Sequence, residues 1–162
     1  MENLNQKVDI CCPPFEPSIW DDKTHHWDEK KFIKERLFTV FGKPMDFSNV
    51  MTDLSKTIEK YQAQKVDEMC LMEDISKWYM DLFLAVDKVI PNMDNVKMSG
   101  KFYTRVYEGN LKQKEIWREE VQKYLAEKEL HIEKWFTWPT TCPKCAKKYG
   151  KNYVVIMAKI KE

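Results

Sequence analysis

The chain has 162 residues, the size of one ordinary domain, and 27 basic against 26 acidic residues give it a formal net charge of +1. Proteins that bind nucleic acid through phosphate contacts carry a clear excess of basic residues, so the near-equal numbers of basic and acidic residues argue against direct nucleic-acid binding. No segment has the roughly 20 apolar residues of a membrane span, and residues 1–9 are polar, so we expect a soluble cytoplasmic protein.

Aromatic residues make up 13% of the chain, with six Trp, and there are also nine Met. Such side chains either fill a rich core or line an adaptable apolar pocket, and composition alone leaves both interpretations open. The five cysteines are an odd number, which favours reduced thiols over a disulfide framework.

The first half of the chain begins with residues 1–31, which are predicted to form an extended arm because prolines interrupt them and no periodicity is present. Residues 32–41 read as a strand rich in Phe, Ile and Val. Asp46 is a candidate N-cap for a helix. Two strands should follow, at 69–72 and 79–90, the second with one better-buried face. The buried face of the helix is marked by apolar residues at spacings of three and four: Phe47, Val50, Met51, Leu54, Ile58 and Tyr61.

The second half repeats this order of elements. Asn110 and Gln113 are placed to form a capping box at the start of the helix. The predicted strand, helix, strand and strand of this half lie at 96–108, 111–128, 133–138 and 153–160.

The repeated order predicts an α+β protein made of duplicated strand-helix-strand-strand units, at 32–91 and 96–160 within a domain of residues 32–162. The two units would join into one antiparallel sheet with two helices on one face and a concave ligand cleft on the other. Pockets favour internal seams of this kind. The alternative is an α+β sandwich with no usable cleft.

Part of the second unit resembles the GyrI-like family of small-molecule-binding domains, and the overall resemblance covers residues 32–160. It implies a ligand-binding domain that stands alone, because the DNA-binding segment of the family's transcription regulators has no counterpart here. The residues around 11–15 and 141–150 resemble a short bacterial subgroup of the family described as hydrolase. The family element is found at Gly100, Phe102, Tyr107 and Gly109, with Trp117 in the helix that follows.

The resemblance implies that the chain binds small hydrophobic or aromatic compounds, including toxic ones, in an aromatic pocket. Two alternatives stay open: a hydrolase of reactive electrophilic natural products, and an inhibitor module that acts on a partner protein such as gyrase. We expect no cofactor, no membrane partner, and a monomer or weak dimer.

In many relatives a carboxylate near the start of the penultimate strand recognises cationic ligands. Residues 135–138 are Trp-Phe-Thr-Trp here and include no carboxylate. This departure disfavours both cation recognition and acid-assisted hydrolysis by the family's route. Glu108 is the candidate catalytic carboxylate and Glu133 is a second one. For both, a solvated surface carboxylate is the alternative.

Aromatic side chains are the candidate ligand contacts, because flat ligands stack on them. We assign the face of strand 96–108 that bears tyrosines to the cleft, and the face bearing Phe102 and Val106 to the helices. Core packing is the alternative for each residue. The predicted contacts are Tyr79, Tyr103, Arg105, Tyr107, Trp117, Trp135 and Trp138.

Cys142 and Cys145 form a Cys-x-x-Cys pair, and Cys11 and Cys12 are adjacent. Four thiolates could form a zinc site if the arm folded over the loop, but a strong zinc signal needs two well-spaced pairs. The preferred interpretation is reduced cysteines at a turn, with no metal site.

Overall fold

The computed structural model describes residues 15–140 and 150–162. No helix within these ranges is long and apolar enough to cross a membrane. The helices of this part of the chain are α1 (Pro17–Trp20), α2 (Phe47–Lys60) and α3 (Lys114–Glu127), with a 3-10 turn at Leu111–Gln113. The strands are β1 (Lys23–Val40), β2 (Lys43–Pro44), β3 (Lys65–Asp74), β4 (Tyr79–Val86), β5 (Asp94–Glu108), β6 (Ile132–Pro139) and β7 (Tyr153–Ile160).

The described strands form one antiparallel sheet in the order β2-β1-β4-β3-β6-β7-β5, and β1 also pairs with β5. Because β1 pairs with β5 through residues 23–34 and with β4 through 32–38, the sheet closes into a six-stranded barrel that carries β2 as an appendage. On the other side, β3 and β6 share one register pair, Met72 with Thr137. The sheet therefore has an inner and an outer face. The α+β class predicted from the sequence is confirmed.

The outer face is covered by the two long helices. Leu54 and Ile58 of α2 pack against the outward residues of β1, β3 and β4, among them Ile33. Trp117 and Val121 of α3 pack against β5 and β7. Both helices use apolar residues three or four apart, which is the spacing that brings side chains to one side of a helix.

The inner face is filled by a second buried cluster to which all six barrel strands contribute. Phe32, Phe102 and Phe136 are almost completely inaccessible to solvent. The cluster is Trp20, Phe32, Met69, Leu71, Phe83, Ala85, Phe102, Phe136, Trp138, Val155 and Met157. Much of the aromatic content noted in the sequence is thus core.

The arm predicted at 1–31 is wrong for residues 23–31, which form the first half of β1 and pair with β5. The pairing register shifts between Trp27 and Lys30, and Glu29 has a φ of 52°. This bulge interrupts the alternation of apolar and polar residues, so the strand does not read as one from its pattern. Of the rest of the arm, residues 1–14 lie outside the described part of the chain.

Three further local predictions have different outcomes. The prediction that β4 has one better-buried face is wrong, because residues 80–86 are buried on both faces, between α2 outside and the barrel interior. Asp46 precedes α2 in a left-handed conformation and its side chain makes no capping hydrogen bond. The capping box of Asn110 and Gln113 is confirmed, with both reciprocal hydrogen bonds present.

Candidate functional site

The seven predicted ligand contacts do not form one site. Five of them lie on the outer face or under α3: Tyr103, Arg105, Tyr107, Trp117 and Trp135. Trp138 lies on the inner face, at the end of the barrel closed by α1. Tyr79 lies at the opposite end, where β4 begins.

The outer group is a structural hydrogen-bond network. The Tyr103 hydroxyl donates to Asp22 Oδ1 at 2.7 Å, and Arg105 Nε donates to that hydroxyl oxygen at 3.2 Å. The Tyr107 hydroxyl donates to Glu120 Oε2 at 2.9 Å. Burial raises the pKa of Tyr103, and it raises the pKa of Tyr107 to about 12, so both phenols stay protonated at neutral pH.

The assignment of the tyrosine face of β5 to a cleft is therefore wrong. Tyr107 stacks on Trp117 of α3 at a ring distance of 5.0 Å, so this face meets the helix. Closure of the barrel turns Phe102 and Val106 inward instead. Alternation along β5 separates the two faces correctly, but it does not say which of them the helix covers.

The end of the barrel near Trp138 is closed by residues that precede β1. Trp138 meets Trp20 edge-on at 5.0 Å and Phe15 at 5.4 Å. His25 lies beside Trp20 and its Nε2 is 2.9 Å from Thr104 Oγ1. Burial lowers the pKa of His25, so this imidazole is neutral at neutral pH and serves the packing of this end.

The opposite end of the barrel exposes three aromatic rings. Phe38, Trp78 and Tyr79 are 48%, 52% and 44% exposed, and Phe38 lies 6.1 Å from Trp78 and 6.0 Å from Tyr79. They are uncovered because β5 begins at Asp94, opposite Lys34, so the last residues of β1 extend beyond it. We call these three residues the exposed aromatic cluster.

An ion pair with a buried carboxylate lies next to this cluster. Asp81 is 2% exposed and accepts from Arg36 Nε at 2.9 Å and Arg36 Nη2 at 3.2 Å, while Lys34 Nζ is 3.5 Å away. Glu73 is the cross-strand neighbour of Asp81 on β3, and its carboxylate is 3.7 Å from Lys134 Nζ. Since i and i+2 residues of a strand share a face, Asp81 and Phe83 both belong to the inner face.

Sequence reasoning missed Asp81 and Glu73, because charged residues are usually solvated. One signal was available. Asp81 stands inside the otherwise apolar run of 80–86, where a carboxylate is buried only if it is paired.

The carboxylates chosen from the sequence lie elsewhere. Glu108 is exposed at the end of β5, away from the exposed aromatic cluster. Glu133 is 2.9 Å from Lys159 Nζ, and this hydrogen bond lowers the pKa of Glu133. Glu133 is therefore an ionised surface partner of a lysine.

Metal chemistry finds no support in the described residues, where no three His, Cys, Asp or Glu side chains are grouped to hold an ion. The four cysteines considered for zinc, Cys11, Cys12, Cys142 and Cys145, lie outside the described residues. Cys70 is buried on β3, and burial raises the pKa of its thiol to about 12, which keeps it protonated and unreactive.

Comparisons with known proteins agree with the fold. A family model described as "Bacterial hydrolase" matches residues 2–160. Among solved structures, SAV2435 bound to tetraphenylphosphonium superposes with a TM-score of 0.51 at 14% identity, covering 87% of this chain and 94% of that one. No curated protein matches the sequence. At this identity the likeness shows the fold alone, and it fits the GyrI-like fold expected from the sequence.

Proposed function

This chain belongs to the bacterial hydrolase family, and from that premise we propose that it binds small aromatic molecules at the exposed aromatic cluster. The observation that carries the proposal is the half-exposure of Phe38, Trp78 and Tyr79 together at one end of the barrel. Adjacent exposed rings leave apolar surface in water and mark places where ligands or partners bind.

The cluster can accept a ligand without any rearrangement of the core. The inner face behind it is packed with its own rings, such as Phe83 and Phe136, which meet edge-on at 5.8 Å. A ligand that entered there would have to displace core side chains, whereas one that binds against the exposed rings leaves the core intact. Each aromatic pair adds about 0.5–1.5 kcal/mol beyond the area it buries.

The fold gives independent support for this function. SAV2435, which shares the fold, has been solved with tetraphenylphosphonium, a small ion with four phenyl rings. For this chain we carry over only the class of ligand, a compact aromatic compound. Sequestration of such compounds needs no catalytic group.

The duplication predicted from the sequence is part of the proposal. The three long strands of each half have the same order in the sheet. In the first half this order is β1-β4-β3, and in the second half it is β5-β7-β6, so the last strand of each half lies between the other two. We take the halves to be copies of one unit. The β1–β4 pair forms the end with the exposed cluster, while the corresponding β5–β7 pair lies under α3.

Replacing Trp78 with alanine should weaken the binding of the neutral fluorescent probe N-phenyl-1-naphthylamine about tenfold, because about 1.4 kcal/mol of stacking and burial is lost. The measurement is a titration of probe emission against protein. Trp135→Ala is the matched control, since Trp135 lies half-buried on the outer face near Arg118. Equal weakening in both variants would count against the cluster as the site.

Hydrolysis is a second candidate, favoured by the family description and by Glu73, whose side chain is only 16% exposed beside the cluster and Asp81. Glu73 could take a proton from a water that attacks a carbon of an aromatic epoxide. The C–O bond of the epoxide would break as the new C–O bond forms, and the ring oxygen would take a proton from solvent water, so that one water molecule is added and a diol results.

With styrene oxide as substrate, hydrolysis predicts diol formation that Glu73→Gln abolishes while probe binding is retained. Glu108→Gln is the matched control, because it removes the exposed carboxylate chosen from the sequence. If Glu108→Gln stops turnover and Glu73→Gln does not, Glu108 is the catalytic carboxylate. If the wild-type protein forms no diol above the buffer rate, sequestration is the function that remains.

A further inference from the structure

We propose that the exposed aromatic cluster prefers an aromatic anion to an aromatic cation of the same shape. This inference rests on the proposed function, since it concerns the charge of the ligand that binds there. It differs from what the ligand of SAV2435, a phosphonium cation, would suggest.

The first step concerns the charges that touch the cluster. Lys77 Nζ lies 5.4 Å from the centre of the Trp78 ring, and the Arg36 guanidinium lies 5.8 Å from the centre of the Tyr79 ring. Both are cations. An aromatic face attracts one cation through its negative quadrupole, so these two ring faces are already used by the chain's own side chains.

The second step concerns the carboxylates that could balance a cationic ligand. Asp81 is the buried carboxylate nearest the cluster in the sheet, and two cations, Arg36 and Lys34, already surround it. Glu73, next to it, is paired with Lys134. A ligand cation would have to displace one of these side chains and would find no unpaired buried carboxylate.

The third step is the balance of charge at the cluster. Three positively charged side chains, Arg36, Lys34 and Lys77, lie near the rings, and one buried carboxylate, Asp81, balances them. Lys77 forms no ion pair with any residue of the described ranges. Other carboxylates on the strands that meet at this end include Glu73 and Asp74, which are paired with Lys134 and with Lys114 and Arg118, and Asp94, which is exposed where β5 begins. Asp46, exposed just before α2, accepts a hydrogen bond from Asn49. The surplus positive charge next to the rings attracts an anion and repels a cation.

The test uses tetraphenylborate and tetraphenylphosphonium, which have the same shape and opposite charge. Quenching of tryptophan fluorescence in a sodium buffer of low ionic strength should give a dissociation constant about tenfold lower for the borate. The ratio of the two constants should fall as sodium chloride is added, because salt screens exposed charges.

Variants decide whether the preference arises at the cluster. The double variant Lys77→Gln with Arg36→Gln should bring the ratio close to one. Lys97→Gln makes a single charge change of the same kind on the outer side of β5, and it should leave the ratio unchanged. Circular dichroism confirms that each variant is folded.

The outcomes separate the two proposals. If neither ion binds, the proposed function is wrong. If both bind and the phosphonium binds equally well or more tightly, the function stands and the charge preference is wrong. A borate preference that the double variant leaves intact would also overturn it, because the selecting charges would then lie elsewhere.

Discussion

Replacing Phe136 with alanine should lower the free energy of unfolding by about 3–5 kcal/mol, a large part of the roughly 5–15 kcal/mol that stabilises an ordinary domain. Phe136 is 2% exposed at the centre of the inner face, where its ring lies 5.8 Å from Phe83 and 6.4 Å from Phe102. The variant loses the transfer free energy of the ring and leaves a cavity that the rigid strands around it cannot close.

Urea denaturation followed by circular dichroism measures this effect. Phe41→Ala is the matched control, because Phe41 is 99% exposed and its removal should change the unfolding free energy by less than about 0.5 kcal/mol. A loss below about 1 kcal/mol for Phe136→Ala would mean that the inner face is an open cleft, as the sequence first indicated, and not a packed core.

Replacing Asp81 with asparagine should cost about 2–3 kcal/mol, because hydrogen bonds to charged groups contribute more than neutral ones. The side chain is 3% exposed and accepts both hydrogen bonds from Arg36. The loss stays below that of a fully buried pair, since the side chains of Arg36 and Lys34 are 52% and 29% exposed and water solvates the charges left behind.

Asp74→Asn is the matched control for this variant. Asp74 also meets two cations, Lys114 at 2.8 Å and Arg118 at 3.3 Å, but its side chain is 40% exposed. Solvent screening should hold its cost to about 1 kcal/mol or less. If the two variants were equally destabilised, burial would not be what distinguishes the two ion pairs.

The pH dependence of Asp74 has a definite sign. Burial raises the pKa of Asp74, but the hydrogen bond and charge of Lys114, together with Arg118, outweigh it and hold the pKa below the ordinary value of 3.8. The folded state thus favours the ionised carboxylate. Its contribution to stability is present above about pH 4 and is lost as the pH falls through the lowered pKa.

Much of the fold follows from the sequence, because the signals are local. The spacing of Leu54 and Ile58 predicts the buried face of α2, and Asn110 with Gln113 predicts the start of the second helical segment. The strands β3 to β7 also overlap the segments predicted from apolar runs and from alternation, although β3 extends over Lys65–Asp74 and not only over 69–72. Each of these signals is set within a few residues of chain.

The features that the sequence did not predict depend on contacts between residues far apart in the chain. Pairing of β1 with β5 joins residues about 70 positions apart, and it decides that Phe102 faces a closed interior while Tyr103 faces α3. The two faces of β5 were separated correctly but assigned the wrong way round, so the three contacts predicted on this strand, Tyr103, Arg105 and Tyr107, belong to the face that meets α3. Tyr79 stands at the exposed cluster because strand lengths differ, and periodicity does not encode that difference.

The most direct test of the account is a two-dimensional NMR titration of the tryptophan indole N–H signals with tetraphenylborate. The chain has six tryptophans, and Trp78→Phe identifies the signal of Trp78. We predict that the Trp78 indole shifts progressively while those of Trp117 and Trp138 stay in place, because both are buried. A titration that moves the Trp138 signal and leaves Trp78 unchanged would contradict the account, since the ligand would then occupy the barrel interior.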